Sequence, residues 1–218
     1  MLPASALLLD MDGVLVDSTG DVLKHWMQWA DRRGVDPAEV ARHAHGAPSR
    51  EVVARFVPAE EVDAEADWVE QLSLREREEH ALPGAARLLG QRELPVAVAT
   101  SATGRVARLR LRNAGLPIPD VLVTADDVAR GKPDPQPYLK AARQLGVPPE
   151  RCVGVDDTPA GLASLIAAGA TPIAVATTYP AGELGAALAV LPDLYNIRIV
   201  EGGIVWTRAA EAAARPDA

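Results

Sequence analysis

Cysteine is nearly absent from this chain. The one it has, Cys152, lies in the apolar run Arg151-Cys-Val-Gly-Val155, so no intramolecular disulfide can form and a reducing compartment is expected. The same setting marks it as a buried strand residue and not a reactive thiol, which needs exposure and a neighbouring base. Long apolar runs are missing too. None approaches the roughly 20 uninterrupted residues that a membrane helix requires. The apolar stretch 2–16 has no basic leader and is interrupted by Asp10 and Asp12, so it reads as a buried strand instead of a secretion signal. Positive charge is also short: 22 Lys and Arg stand against 30 Asp and Glu, a net charge of −8. Binding along a phosphate backbone depends on dense Lys and Arg, so nucleic acid is excluded as a partner. With no membrane span and no nucleic-acid surface, a cytoplasmic location is expected, with the chain a monomer or weak dimer. There is no internal repeat or low-complexity tract.

What is present is the composition of a folded domain, 48% hydrophobic and 24% charged over 218 residues, enough for one core plus a smaller helical unit. Short apolar runs at 6–9, 95–99, 121–123, 152–155 and 172–176 have the two-sided apolar character of buried parallel strands. Helical segments alternate with them: one opened by Pro83-Gly84 over 85–91, one over 103–114 closed by Gly115, one over 137–145 closed by Gly146, and one opened by Thr158-Pro159 and closed by Gly169. The alternation predicts an α/β fold, a Rossmann-like doubly wound parallel sheet. Residues 18–81 break the rhythm with helical periodicity and no convincing strand. Because α/β connections usually run about 2–6 residues, this segment predicts an inserted helical cap on a core of residues 1–17 and 82–218. Ligands of open α/β sheets bind beyond the carboxyl ends of the strands, where such a cap would lie. The tail, 198–206 with Glu201-Gly202-Gly203 at its centre, reads as a hairpin.

Chemistry-bearing residues collect at the predicted strand ends. Asp10-Met11-Asp12-Gly13 follows the first strand, and residues at i and i+2 of an extended backbone project to the same side. A carboxylate attacks phosphorus when a metal screens its repulsion with the phosphate oxygens, which makes Asp10 a candidate nucleophile. Asp12 is then the candidate acid and base. Asp156-Asp157 end a later strand and offer hard oxygen ligands of the kind Mg²⁺ takes, Asp157 being the stronger candidate; capping of the next helix by Asp157 or Thr158 is the alternative. Lys132 stands in the Pro-rich loop Arg130-Gly-Lys-Pro-Asp-Pro-Gln-Pro-Tyr138, where an oriented ammonium would neutralise a phosphoryl group in transfer. Thr100 offers a hydroxyl at the end of the second strand, and Ser101 and Ala102 offer amides at the start of the next helix. In a chain this acidic, an anionic substrate must be drawn in locally against the overall field, and a bound divalent cation would do so.

Taken together, these residues resemble the haloacid dehalogenase superfamily over nearly the whole chain. Asp10-Met-Asp-Gly-Val-Leu-Val-Asp17 is similar to its first motif, Thr100 to its second, Gly131-Lys-Pro-Asp-Pro to its third, and Gly154-Val-Asp-Asp-Thr-Pro-Ala-Gly161 to its fourth. The resemblance implies a Rossmann-like core with a helical cap, Mg²⁺ held by Asp10, the Asp12 backbone carbonyl and Asp157, and catalysis by Asp10, Asp12, Thr100 and Lys132. Within the superfamily, His45-Gly46, Ala97-Val-Ala-Thr-Ser101, Thr124-Ala-Asp-Asp-Val128 and the loop from Gly131 to Leu139 are similar to sugar and polyol phosphatases, including glycerol phosphatases and 2-deoxyglucose-6-phosphatase. That implies a phosphatase acting on a small phosphorylated metabolite, a sugar or polyol monoester, through an aspartyl-phosphate. Beta-phosphoglucomutase is a relative whose phosphate-gripping cap arginine Arg50 resembles, but its cap histidine would align at Val22, which argues against mutase chemistry. Dehalogenases lack the second carboxylate, so Asp12 argues against them. Phosphonate hydrolysis would need a cap lysine, and Lys24 is the insertion's only one.

Other features have plainer readings. Trp26 and Trp29 share a helix face and, with Trp68, read as cap core. His43 and His45 lack a third zinc ligand, leaving His45 as a cap-loop substrate contact. Arg105, Arg108, Arg110 and Arg112 read as a solvated helix face. A receiver-like phosphoacceptor, or a phosphometabolite-binding protein without turnover, are the non-enzymatic alternatives.

Overall fold

The computed structural model describes residues 1–44 and 46–207. Its centre is a six-stranded, all-parallel sheet in the order Val121–Val123, Val96–Ala99, Ala6–Leu9, Cys152–Asp156, Thr171–Val175, Ala189–Leu191. Both faces of these strands are covered, as their unbroken apolar runs require. Leu7, Leu9, Val98, Val153 and Val155 pack on one side with Ala107 and Leu111 of the helix Gly104–Asn113 and Leu88 of the helix Ala85–Gly90. Leu8, Ala97, Ala99 and Cys152 pack on the other with Tyr138 and Ala142 of the helix Gln136–Leu145 and Leu165 of the helix Pro159–Ala168. Sheet and helices agree with the α/β expectation.

Three expectations change. The sheet has a sixth strand, Ala189–Leu191, at an edge where two of its three residues are only half-buried; its run of Ala and Leu has no period to mark it. The stretch 2–16 is not one strand: Ala6–Leu9 joins the sheet, and Leu2–Pro3 pairs instead with Gly203–Trp206. That tail strand also forms the expected hairpin with Ile197–Val200. Finally, residues 18–81 do contain a strand. His80–Ala81 pairs antiparallel with Val16–Asp17, bringing together the two points where the chain leaves and rejoins the core.

Between those points, the helices Thr19–Arg33, Pro37–Ala44, Ser49–Val53 and Val62–Ser73 enclose a second apolar cluster. Trp26 and Trp29 are buried in it as expected, edge to face at 5.7 Å between ring centroids. Burying an indole requires a partner for its N–H, and Trp29 Nε1 donates to Glu65 at 2.7 Å. None of the described helices is long and apolar enough to cross a membrane.

Candidate active site

The first strand stops at Asp10, whose amide donates to Val155 O at 2.9 Å and so registers this strand end against Asp156 and Asp157. Lys132 lies almost fully buried between the two, its Nζ 2.8 Å from Asp10 Oδ1 and 2.8 Å from Asp156 Oδ2. Asp156 is saturated. Its Oδ2 also accepts from Tyr138 Oη at 2.6 Å, while Oδ1 accepts from the Thr158 amide at 2.9 Å and hydroxyl at 2.8 Å. A carboxylate offers about four acceptor sites, and all of those on Asp156 are used to hold Lys132 and the following loop. Gly161 permits that packing, since a Cβ there would fall 1.9 Å from Asp156 Oδ2.

Asp157 is the opposite case. Its side chain is buried, yet neither oxygen finds a hydrogen-bond partner among the described residues. Buried carboxylates are ordinarily paired or bound to metal. Carboxylate oxygens of Asp10, Asp156 and Asp157 lie within 4.8 Å of one another, so a hard divalent cation suits the donor set: Asp10 and Asp157 have acceptor capacity to offer and Asp156 does not. Gly13, at φ 76°, closes the floor; a Cβ there would meet Asp157 Oδ2 at 2.0 Å. Gly13→Ala is therefore expected to lower the melting temperature and to weaken any thermal stabilisation by added Mg²⁺, both read by calorimetry.

The electrostatics follow from this crowding. Burial pushes the Asp10 carboxyl up to about 7, with Lys132 pulling it down and Asp156 adding repulsion. Burial also holds Asp157 well above the usual carboxylate range, reinforced by Asp156 and Asp10 and opposed by Lys132 and by the nearby Thr178 hydroxyl, which approaches without forming a hydrogen bond. For Lys132, burial disfavours the charge, but Asp10 and Asp156 outweigh it and raise the group above an ordinary lysine.

Around this centre is a cavity of about 460 Å³ between the carboxyl ends of the strands and the helices of residues 18–81. Asp10, Asp12, Thr100, Ser101, Arg50 and Asp157 all line it, while Lys132 lies behind Asp10. Thr100 is buried, and its Oγ1 accepts from the Ala102 amide at 3.1 Å, so that amide, expected to face a ligand, is turned onto Thr100. The Ser101 hydroxyl donates to Gly46 O of the insertion at 2.8 Å. Arg50 is exposed and ion-paired with Asp63. His45 lies outside the described residues. Asp12 does not place its carboxylate with the acidic group; Ser18 Oγ donates to its Oδ1 at 2.5 Å and Arg110 Nη1 to the same oxygen at 2.7 Å.

Arg110 corrects the reading of its helix. It is only 4% exposed and shares the inward face with Val106, Ala107 and Leu111, whereas Arg105 is 68% exposed at its side chain. Apolar neighbours at three and four positions' distance were the available signal. Tyr138 lies in the helix Gln136–Leu145, as the expected helix over 137–145 places it, but sequence reasoning assigns it no role, and its hydroxyl holds Asp156.

The family model for haloacid dehalogenase-like hydrolases matches residues 4–169. Hexitol phosphatase A of Escherichia coli is 40% identical over 201 residues, covering 89% of this chain and 93% of that protein. The 2-deoxyglucose-6-phosphate phosphatase 1 of Saccharomyces cerevisiae is 32% identical, with 93% of this chain and 94% of that one covered. Among solved structures, a hydrolase from Pseudomonas syringae superposes with a TM-score of 0.80 at 26% identity, over 87% of this chain and 94% of its own. With the matched fold and an acidic group at the strand ends, the chain belongs to the haloacid dehalogenase-like hydrolases.

Proposed function

We propose that the protein is a cytoplasmic, Mg²⁺-dependent phosphatase that hydrolyses a monoester of a small sugar or polyol through an aspartyl-phosphate on Asp10. The observation that carries this reading is the buried, unpartnered carboxylate of Asp157 beside Asp10, with Lys132 behind. Asp10 and Asp157, with the Asp12 main-chain carbonyl, would hold Mg²⁺, whose chemistry is to screen repulsion between the attacking carboxylate and the phosphate oxygens.

In the first step an oxygen of Asp10 bonds to phosphorus as the phosphorus–oxygen bond to the alcohol breaks. Asp12, protonated, gives its proton to the departing alkoxide oxygen. In the second step water attacks the same phosphorus, Asp12 takes the water's proton, and the bond to Asp10 breaks to release inorganic phosphate. Lys132 and Thr100 neutralise and orient the transferring group. Residues 18–81 act as a cap over the cavity. Supporting this, the hydrogen bonds that join them to the core include Ser101 to Gly46, the Gly131 amide to Glu51 at 2.7 Å, and the Thr103 hydroxyl to Glu70 at 2.9 Å. The relatives' names, hexitol phosphatase and 2-deoxyglucose-6-phosphate phosphatase, support a polyhydroxyl leaving group, with Ser101, Arg50 and His45 as candidate contacts.

The test is phosphate release from hexitol phosphates, hexose 6-phosphates, glycerol phosphates, beta-glucose 1-phosphate and phosphoglycolate, with sugar isomers followed in parallel. Turnover should be selective for the polyhydroxyl esters, vanish on chelation and return with Mg²⁺. Undiminished release after chelation would remove Mg²⁺ from the mechanism. Isomer conversion without net phosphate release would make the protein a mutase in spite of Val22.

A further inference from the structure

We propose that Arg110 is the positioning residue for proton transfer, fixing Asp12 so that a single carboxylate oxygen is presented to the leaving group. This rests on the acid and base role given to Asp12 above and adds a residue to which the motifs of the sequence assign nothing.

The geometry uses every nitrogen of the guanidinium. Nη1 donates to Asp12 Oδ1 at 2.7 Å, Nε to Glu79 Oε1 at 3.2 Å, and Nη2 to Ser73 Oγ at 3.4 Å. Glu79 is itself held, its Oε2 accepting from Asn113 Nδ2 at 2.9 Å. Arg110 is thus fixed at its back by Glu79 and at its tip by Asp12. Ser18 Oγ donates to the same Asp12 Oδ1 that Arg110 binds. Two donors converging on one oxygen set the plane of the carboxylate, and Oδ2 accepts no hydrogen bond from the described residues. Since Asp12 lines the cavity, Oδ2 is the oxygen left to exchange a proton there.

A purely structural account explains this arrangement poorly. Burying a guanidinium with two carboxylates costs desolvation that well-packed apolar residues avoid, and the neighbouring inward positions are Val106, Ala107 and Leu111. A residue whose task was to fill this face would be apolar like them. Lysine would not substitute, because one ammonium on a flexible stem cannot hold Asp12 and Glu79 in a fixed mutual geometry.

The chemistry of the leaving group supplies a discriminating test. An alkoxide needs a proton as it departs; p-nitrophenolate leaves without one. With Mg²⁺ present, kcat/KM would be measured on glycerol 1-phosphate and on p-nitrophenyl phosphate for the wild type, Asp12→Asn, Arg110→Met, Arg110→Lys and Glu79→Gln, with melting temperatures alongside. Arg110→Met should lose roughly ten- to a hundred-fold on the alkyl ester and far less on the aryl ester, with Arg110→Lys intermediate. Glu79→Gln should shift the same ratio in the same direction. If Arg110→Met misfolds because Glu79 is left unpaired, the double variant Arg110→Met/Glu79→Gln removes the stranded carboxylate and carries the comparison. Equal losses on both esters would reduce Arg110 to packing and overturn the proposal. If Asp12→Asn discriminates between the esters and the Arg110 variants do not, Arg110 is excluded while Asp12 keeps its role. If Asp12→Asn does not discriminate either, the assignment of Asp12 itself fails.

Discussion

Asp10→Asn is expected to lower kcat by at least about 10⁴-fold on every phosphate ester the wild type cleaves, because it turns the proposed nucleophilic carboxylate into an amide. The protein should remain folded. Asparagine is nearly isosteric, its carbonyl can accept from Lys132 in place of Asp10 Oδ1, and Lys132 keeps its 2.8 Å contact with Asp156. The metal-free variant should even gain stability at neutral and alkaline pH. The Asp10 carboxyl is raised from 3.8 to about 7 by burial, so the folded state binds more protons than the unfolded one between those values. Stability is therefore lost as pH rises through that window, and asparagine removes the loss. Thermal melts of both proteins at pH 4 and pH 8 would check this: the gain should appear at pH 8 and disappear at pH 4. An Asp10→Asn protein that is folded and fully active would sink the nucleophile assignment.

Lys132→Met is the second large effect, and here activity and stability should fall together. Removing the ammonium leaves Asp10 and Asp156 in the buried cluster with Asp157 and no lysine among them. Breaking a buried charge pair from one side costs roughly 3–5 kcal/mol. For a chain of this size that corresponds to a melting temperature lowered by roughly 10 °C. Without Lys132 to pull it down, Asp10 would rise further above about 7 and stay protonated over a wider range. The deficit should consequently shrink as pH falls from 9 to 7, because over that window the variant's folded Asp10 keeps a proton that the wild type's gives up. Guanidinium chloride unfolding at the two pH values would measure it. A loss that stays constant between them would mean that the carboxylates are not electrostatically exposed to Lys132.

The residues that were legible beforehand share one property: each follows directly from a buried strand or sits in a Pro- and Gly-marked loop. Asp10, Thr100, Asp156 and Asp157 end apolar runs, and Lys132 is surrounded by prolines, so position along the chain already implied position in the site. Arg110 had no such marker. Its place depends on which face of a helix turns inward, and four arginines in eight residues hid the stripe formed by Val106, Ala107 and Leu111. Asp157 is legible as the stronger candidate ligand, but what its neighbour Asp156 does is not. That shows only in the four donors around Asp156, against none hydrogen-bonded to Asp157 among the described residues. The edge strand Ala189–Leu191 escaped because an alanine-rich apolar run has no preference strong enough to declare itself without its neighbour Thr171–Val175.

The short pairing of Val16–Asp17 with His80–Ala81 has a consequence for how such an enzyme changes its diet. Paired backbones in an antiparallel ladder lie about 5 Å apart, so the core meets everything between 17 and 80 as though it were one hairpin turn. Closure entropy grows only slowly with what the turn contains. A lineage, or an engineer, could exchange that whole module for another with its own small core and the same narrow stem, and the strands that carry Asp10 and Asp157, with the loop that carries Lys132, would keep their places. The reaction would then be inherited and the appetite borrowed.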